Sequence, residues 1–243
     1  MKWIQNETIA GLQAEFKARQ DAYYAALRKE KRGTPGYTAA EEEFNTFRKA
    51  FAKRGLALVQ ADPKASGAFE LLAQLLSASE LTVDTAKLIE RHYLSHPDAG
   101  KITTALYFAP IPEAETLLEA LRKRSPHPKV RGQATYWQAK RIMEGFSVYT
   151  TRPIPTVQQP AAAKKCMALL EEVIARYPKA FTLYKEVTAG EKAKQELAGA
   201  RNLLNLRLGA VAPEIQSDDP DGKRFKLSDY RGTVVMLDFW GNW

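Results

Sequence analysis

The chain has little of what most catalytic centres are built from. Among 243 residues there is one cysteine, Cys166, so no disulfide can close within them. Histidine occurs three times, no Gly-rich phosphate loop is present, and no G-x-S-x-G elbow occurs. No stretch approaches the ~18 uninterrupted apolar residues of a membrane-crossing helix. The opening "MKWIQNETIAGLQAEF" lacks the apolar centre of a secretory signal. These absences weigh against a metal-dependent hydrolase, a P-loop enzyme and a serine hydrolase; these residues hold no membrane span, and the chain is either cytosolic or begins downstream of an export signal. His92 and His96 stand four apart on one helical face. The third zinc ligand, from His127, Glu90 or Asp98, has no H-E-x-x-H context, and Pro97 puts His96 at a helix end. Neither a metal nor a cofactor is expected.

What is present is charge and helical periodicity. The formal net charge is +8, unevenly placed: from Leu208 onward four basic residues face six acidic ones, and the rest of the chain carries the whole basic excess. Along the helices the charges are interspersed. The one dense cluster, "LRKEKR" at 27–32, suits a helix C-terminal turn. Nucleic acid is therefore not an expected partner. Cys166, within "AAAKKCMALLEEV", reads as a small apolar filler on a helix.

From Glu7 to about Arg207 the apolar spacing is helical. Ile9, Leu12, Phe16, Tyr23 and Leu27 share a face. Gly33, Pro35 and Gly36 then predict a break, and Thr38 with Glu41 a capping box opening a helix that buries Phe44, Phe47 and Phe51. Glu41 to Glu43 are expected in its first turn, as partners of the helix dipole. Asp62 and Pro63 predict a further helix start. Three stretches resemble one another: "LIERHYLSHP" at 88–97, "LLEALRKRSP" at 117–126 and "LLEEVIARYP" at 169–178. Each places proline seven residues after a glutamate, which ends a helix that its leucines pack onto an earlier one. Together with "GQATYWQAKRIMEG" they resemble tetratricopeptide-type hairpins. The spacing is irregular, however, 29 and then 52 residues between equivalent leucines, against a usual period of about 34. A plain helical bundle is the alternative. "SVYTTRPIPTVQQP", in the longer gap, predicts an extended surface loop.

At Leu208 the character changes. "DDPDGK" carries a tight turn, Phe225 and Leu227 alternate with polar neighbours as in a half-buried strand, and "TVVMLDFW" reads as a central strand covered on both faces. Asp238 interrupts that apolar run. Burial there disfavours the charged form, which suits proton transfer near neutral pH; a carboxylate bonded to a neighbouring loop is the bland alternative.

These residues resemble the opening of a thioredoxin-like domain of the TlpA/ResA and AhpC/TSA (redoxin) type, which begins A-P, passes through D-x-x-G-K and L-S-D-x-x-G-K, and enters a strand ending F-W-x-x-W-C-x-x-C. Ala212 and Pro213 match the opening, and Asp219, Gly222 and Lys223 the turn. Leu227, Ser228, Asp229 and Gly232 match the next element, with Thr233 in place of lysine. Phe239, Trp240 and Trp243 match the strand's end. The resemblance covers about 36 residues and implies a thiol–disulfide oxidoreductase whose cysteine pair would follow Trp243, so that these residues alone are expected to be inactive. It also implies that Asp238 assists deprotonation of the second cysteine, and that Phe239, Trp240 and Trp243 surround the site. A protein disulfide or redox partner and an extracytoplasmic setting are implied too.

The expected fold class is mainly α. A helical domain at 1–207 carries irregular tetratricopeptide-like hairpins and a candidate protein-binding surface. The first hairpin and strand of an incomplete thioredoxin-like α/β domain follow at 208–243. Two rival readings stand: a non-enzymatic helical interaction module with a vestigial redoxin segment, and a redoxin that keeps a single reactive cysteine.

Overall fold

The computed structural model describes residues 7–78, 81–147, 150, 152–183, 187–202, 209–219 and 221–238. It is mainly α-helical. Nine α-helices occur among these residues: α1 (Ile9–Lys29), α2 (Pro35–Ala61), α3 (Ala68–Ala78), α4 (Val83–His92), α5 (Thr103–Phe108), α6 (Pro112–Arg124), α7 (Pro128–Glu144), α8 (Gln159–Arg176) and α9 (Ala189–Ala200). Two short antiparallel pairs accompany them. The strands β1 (Thr182–Leu183) and β2 (Val187–Thr188) lead into α9, and β3 (Gln216–Asp218) pairs with β4 (Arg224–Lys226) near the C-terminal end.

The prolines end helices with differing sharpness. In α6 and α8 the last helical residue lies two positions before proline, at Arg124 and Arg176. In α4 it is His92, five before Pro97, and a turn through Tyr93 fills the interval. Buried leucines of these helices, among them Leu117, Leu118, Leu121, Leu169 and Leu170, do face a core.

Three boundaries differ from expectation. Helix α2 starts at Pro35, because Thr34 Oγ1 accepts from Tyr37 N and proline fits the first turn, where its missing N–H is no loss. Thr38 thus lies inside the helix, and Glu41 to Glu43 fall beyond its first turn, where Glu43 pairs with Arg19 at 3.2 Å. Asp62 closes α2 instead of opening a helix. Its backbone N–H reaches Leu58 O, its carboxylate accepts from Lys64 N, and α3 begins only at Ala68. A capping box does occur at α9, where Thr188 and Glu191 satisfy each other's backbone N–H.

Two clusters of buried residues form the interior. The first runs from Leu12 and Phe16 through Phe51, Leu71, Leu72, Ile89 and Ile102 to Leu117, Leu118 and Leu121. The second gathers Tyr136, Ala139, Cys166, Leu170, Val173, Ala189 and Ala193 from α7, α8 and α9. Trp137 packs against both. The α1–α2 hairpin is anchored at one end by Arg54, which bonds Glu7 and lies 2.7 Å from Glu15 Oε2. Its other end projects: none of residues 17–50 is buried. Tyr23 stacks on Phe44 there, centroids 4.5 Å apart, and Phe44 and Phe47 are only half-buried, with Phe51 fully so.

The segment expected as a surface loop is partly structural. Arg152 Nη1 donates to Tyr107 O at 3.1 Å and to Ala109 O at 3.3 Å, and its other nitrogen bonds Glu144. Ile154 N donates to Gly145 O at 2.9 Å, which folds the segment back onto the end of α7. Arg141 completes this joint. Its guanidinium donates to the carbonyl oxygens of Leu106, Tyr107, Ala109 and Ile111 at 3.1, 2.8, 2.7 and 3.2 Å. The acceptors belong to the last turn of α5 and the chain just after it, where helical carbonyls lack partners of their own.

No helix among the described residues is long and apolar enough to cross a membrane.

Candidate functional site

The chemistry implied by the sequence centres on 209–238, and local hydrogen bonds account for its shape. Asp219 is the hinge of the β3–β4 turn: Oδ1 accepts from Asp221 N at 3.0 Å and from Lys223 N at 2.8 Å. Gly222 adopts φ +77°, a conformation that a side chain disfavours, so glycine is required there. The register then sets Ser217 opposite Phe225. After β4 a single 3₁₀ turn, Leu227–Tyr230, is tied back to the chain just ahead of β3 and to the end of β4. Leu227 N donates to Ile215 O at 2.8 Å, Ser228 N to Glu214 Oε1 at 2.9 Å, and Asp229 Oδ2 accepts from Lys226 N at 3.0 Å. The Ser228 contact holds the Glu214 carboxyl below its ordinary pKa. Gly232, at φ +91°, leads the chain out of the turn.

The motif residues thus divide by location. Asp219, Gly222, Ser228, Asp229 and Gly232 fall in one hairpin-and-turn unit. Pro213 lies exposed ahead of it, and Pro220 of "DDPDGK" lies outside the described residues, as does the 207/208 boundary. Phe239, Trp240 and Trp243 lie outside them too, so the expected aromatic surround has no structural description.

The central strand is a correction. Residues 234–238 carry no strand assignment, and Val234 and Met236 are fully or almost fully exposed. Strand identity comes from pairing and cover, and among the described residues no third strand joins β3 and β4. Asp238 is exposed as well. The burial expected of it is absent here, together with the electrostatic argument that rested on burial. Between 209 and 238 no described residue is buried, so the hairpin unit has no core of its own.

Cys166 sits far from such chemistry in character. It is fully buried in the second cluster, with Sγ 3.5 Å from Ala139 O, and burial pushes its thiol up to about 12. The negative charge of Glu196 adds to the shift. A thiol held protonated and covered is a poor nucleophile. In the folded chain at pH 8, Ellman's reagent is expected to label Cys166 at least ~100-fold more slowly than in denaturant, because reaction must wait for local opening. Immediate stoichiometric labelling would show an accessible thiolate instead.

His92 is exposed at the end of α4, and the other two histidines make local contacts. His96 stacks on Phe69 with centroids 3.9 Å apart and takes Asp98 N on Nδ1, and His127 Nε2 lies 3.1 Å from Ser95 O. Among the described residues no three His, Cys, Asp or Glu side chains converge as a metal site would require.

The sequence reading missed a second locale, the groove between α7 and α8 behind Arg152. It is lined in part by Gln138, Arg141, Ile142, Ile154 and Lys165. The three prolines of the connecting segment hinted only at irregular backbone, not at what that backbone encloses.

Comparison with known proteins bears on the redox reading. The thiol-disulfide oxidoreductase ResA of Bacillus subtilis is 36% identical over 63 residues, 26% of this chain and 28% of the relative. ResA of Geobacillus thermodenitrificans is 44% identical over 38 residues, 16% and 22% of the two chains. ResA of Bacillus cereus is 35% identical over 63 residues, 26% and 30%. The matches therefore span less than a third of each relative. No family model matches the chain, and no solved structure matches it significantly. Partial as they are, these similarities support a thioredoxin-like relationship and a redox function at the level of the family.

Proposed function

We propose that residues 208–243 open a thioredoxin-like domain of a thiol–disulfide oxidoreductase. Residues 1–207 are a helical, tetratricopeptide-like domain that brings it to its protein partner. The observation that carries the reading is the partial similarity to ResA proteins. The hairpin built by Asp219, Gly222, Ser228 and Asp229 agrees with the family motif.

The reaction needs two thiols. One thiolate attacks a disulfide sulfur of the partner, forming a mixed disulfide and releasing one partner thiolate. The second enzyme thiol, once deprotonated, attacks the mixed disulfide and releases the other partner sulfur. The partner gains two electrons and the enzyme pair becomes a disulfide. Cys166 takes no part, being single and buried. The pair belongs to the Cys-x-x-Cys that follows F-W-x-x-W in this family, and Asp238 receives the proton of the second thiol. In that setting Asp238 would be covered by the remaining strands and helices of the sheet. An extracytoplasmic setting goes with the resemblance.

A second reading is a non-enzymatic helical module with a vestigial redoxin segment, in keeping with the large helical share of the chain. The complete natural translation product decides between them in a dithiothreitol-coupled insulin reduction assay. Turnover is expected, slowed about 100-fold by Asp238→Asn at pH 7. No turnover, or an unaffected variant, would count against the enzyme or against the role of Asp238.

A further inference from the structure

The projecting end of the α1–α2 hairpin gathers four cations within residues 28–32. Arg28 and Lys29 lie in the last turn of α1, where they complement the helix dipole. Lys31 and Arg32 lie beyond that helix, so the dipole does not account for them. Residues 28–33 are all exposed, and Gly33 turns the chain toward α2 at φ +88°.

Little in the fold neutralises these charges. Glu30, the acid among them, is drawn toward α2. Thr34 Oγ1 donates to its Oε2 at 2.9 Å, and a Cβ built on Gly36 would lie 2.6 Å from its carboxyl carbon. Its charge thus serves the N-terminus of α2. The ion pairs of the hairpin belong to Arg19 and Arg54, and among the described residues no carboxylate pairs with Arg28, Lys29, Lys31 or Arg32. Asp21 and Glu41 to Glu43 lie roughly 9–12 Å further back along the helices. The hairpin is therefore positive at its end and negative behind it.

We propose that this end of the hairpin docks on an anionic lipid bilayer, with the four cations among the headgroups and the hairpin standing end-on. The order of the charges selects this partner. A planar surface meets all four cations together while the carboxylates stay away from it. A nucleic-acid duplex lying along the hairpin would press its phosphates onto Asp21 and Glu41 to Glu43. An acidic protein would find no apolar pocket at this exposed end on which to build a binding centre. Tyr37, half-buried in the first turn of α2, stands at the level where tyrosine suits a bilayer interface. The inference rests on the α1–α2 hairpin and stands apart from the redox reading.

The test is sedimentation of the full chain with vesicles of phosphatidylcholine, alone or with about 30% phosphatidylserine, at about 0.1 M NaCl. Each cation at such a surface strengthens binding about fivefold. Partition onto the phosphatidylserine vesicles is expected, at least ~20-fold above phosphatidylcholine alone, and about 0.5 M NaCl should abolish it. The combined variant Arg28→Gln, Lys29→Gln, Lys31→Gln, Arg32→Gln should lose at least ~50-fold with unchanged circular dichroism. Lys64→Gln, Lys87→Gln, Lys129→Gln and Lys194→Gln together remove the same charge from other exposed positions and should cost less than about fivefold. If the first variant misfolds, Lys31→Glu alone, outside the helix, should still cost about tenfold. No preference for the anionic vesicles would overturn the proposal, and so would equal losses in the two combined variants. Greater capture by duplex DNA at equal anionic charge would also overturn it.

Discussion

Replacing Gly132 by alanine is expected to destabilise the chain by about 2–3 kcal/mol, although alanine is the better helix former by about 1 kcal/mol. Gly132 is buried in α7, where the helix meets the turn that follows α8. A Cβ built there would lie 2.5 Å from the Ala180 Cβ and 2.6 Å from the Tyr177 Cβ. Both contacts are to atoms attached directly to backbone, so no rotamer change can relieve them. Overpacking of this kind forces the elements apart, and here it would part α7 from the second core cluster. Valine adds two methyl groups at the same place and should cost more. Gly199, in α9, is the control: a Cβ added to it would meet nothing within 4 Å, so Gly199→Ala should stabilise by about 0.5–1 kcal/mol. Thermal denaturation of the three variants tests the contrast. Equal responses at 132 and 199 would mean that the close packing of α7 on the 177–180 turn does not hold in solution.

Arg141→Met should cost about 2–3 kcal/mol, or roughly 5–10 °C in Tm. Burial and the neighbouring Arg152 both push the Arg141 pKa down, yet the guanidinium is held by its carbonyl acceptors. Methionine replaces the bulk and leaves Leu106 O and Ile111 O without that donor. Arg152 still reaches Tyr107 O and Ala109 O, which limits the loss. Arg141→Lys should recover only part of it, because a single ammonium cannot span carbonyls that the planar fork reaches together. A melting temperature unchanged within ~1 °C in Arg141→Met would show that the end of α5 does not depend on this side chain.

Legibility in the sequence followed the range of the interaction. Helices read well where local signals decide them, as at Ser125–Pro126 and Tyr177–Pro178, where proline follows the last turn directly. They read less well where two local signals compete: Thr34 with Pro35 outranks Thr38 with Glu41, and Asp62 serves the end of one helix instead of the start of another. The capping box at Thr188 and Glu191 has an equally visible T-x-x-E pattern, yet nothing in that pattern alone sets it above the box expected at Thr38. The hairpin turn is legible because Asp219 and Gly222 impose it within five residues.

The strand through Val234 to Asp238 is not, for the opposite reason. Its apolar, β-branched composition states a preference, but pairing and cover come from elsewhere in a sheet. The burial of Asp238 depends on that same sheet, so spacing cannot decide it. The α7–α8 groove is hidden because Gln138 looks like any helical glutamine. Only packing reveals that its amide oxygen is buried without a donor.

The redox reading stands or falls on thiols that Cys166 cannot supply. The most direct measurement is to read the codons that follow Trp243 in the gene. Cys-x-x-Cys beginning at the next codon is the predicted result, and it would join the hairpin of 209–238 to the reaction that its motif implies. A stop codon, or a continuation without cysteine, would contradict the oxidoreductase account and leave function to the helices.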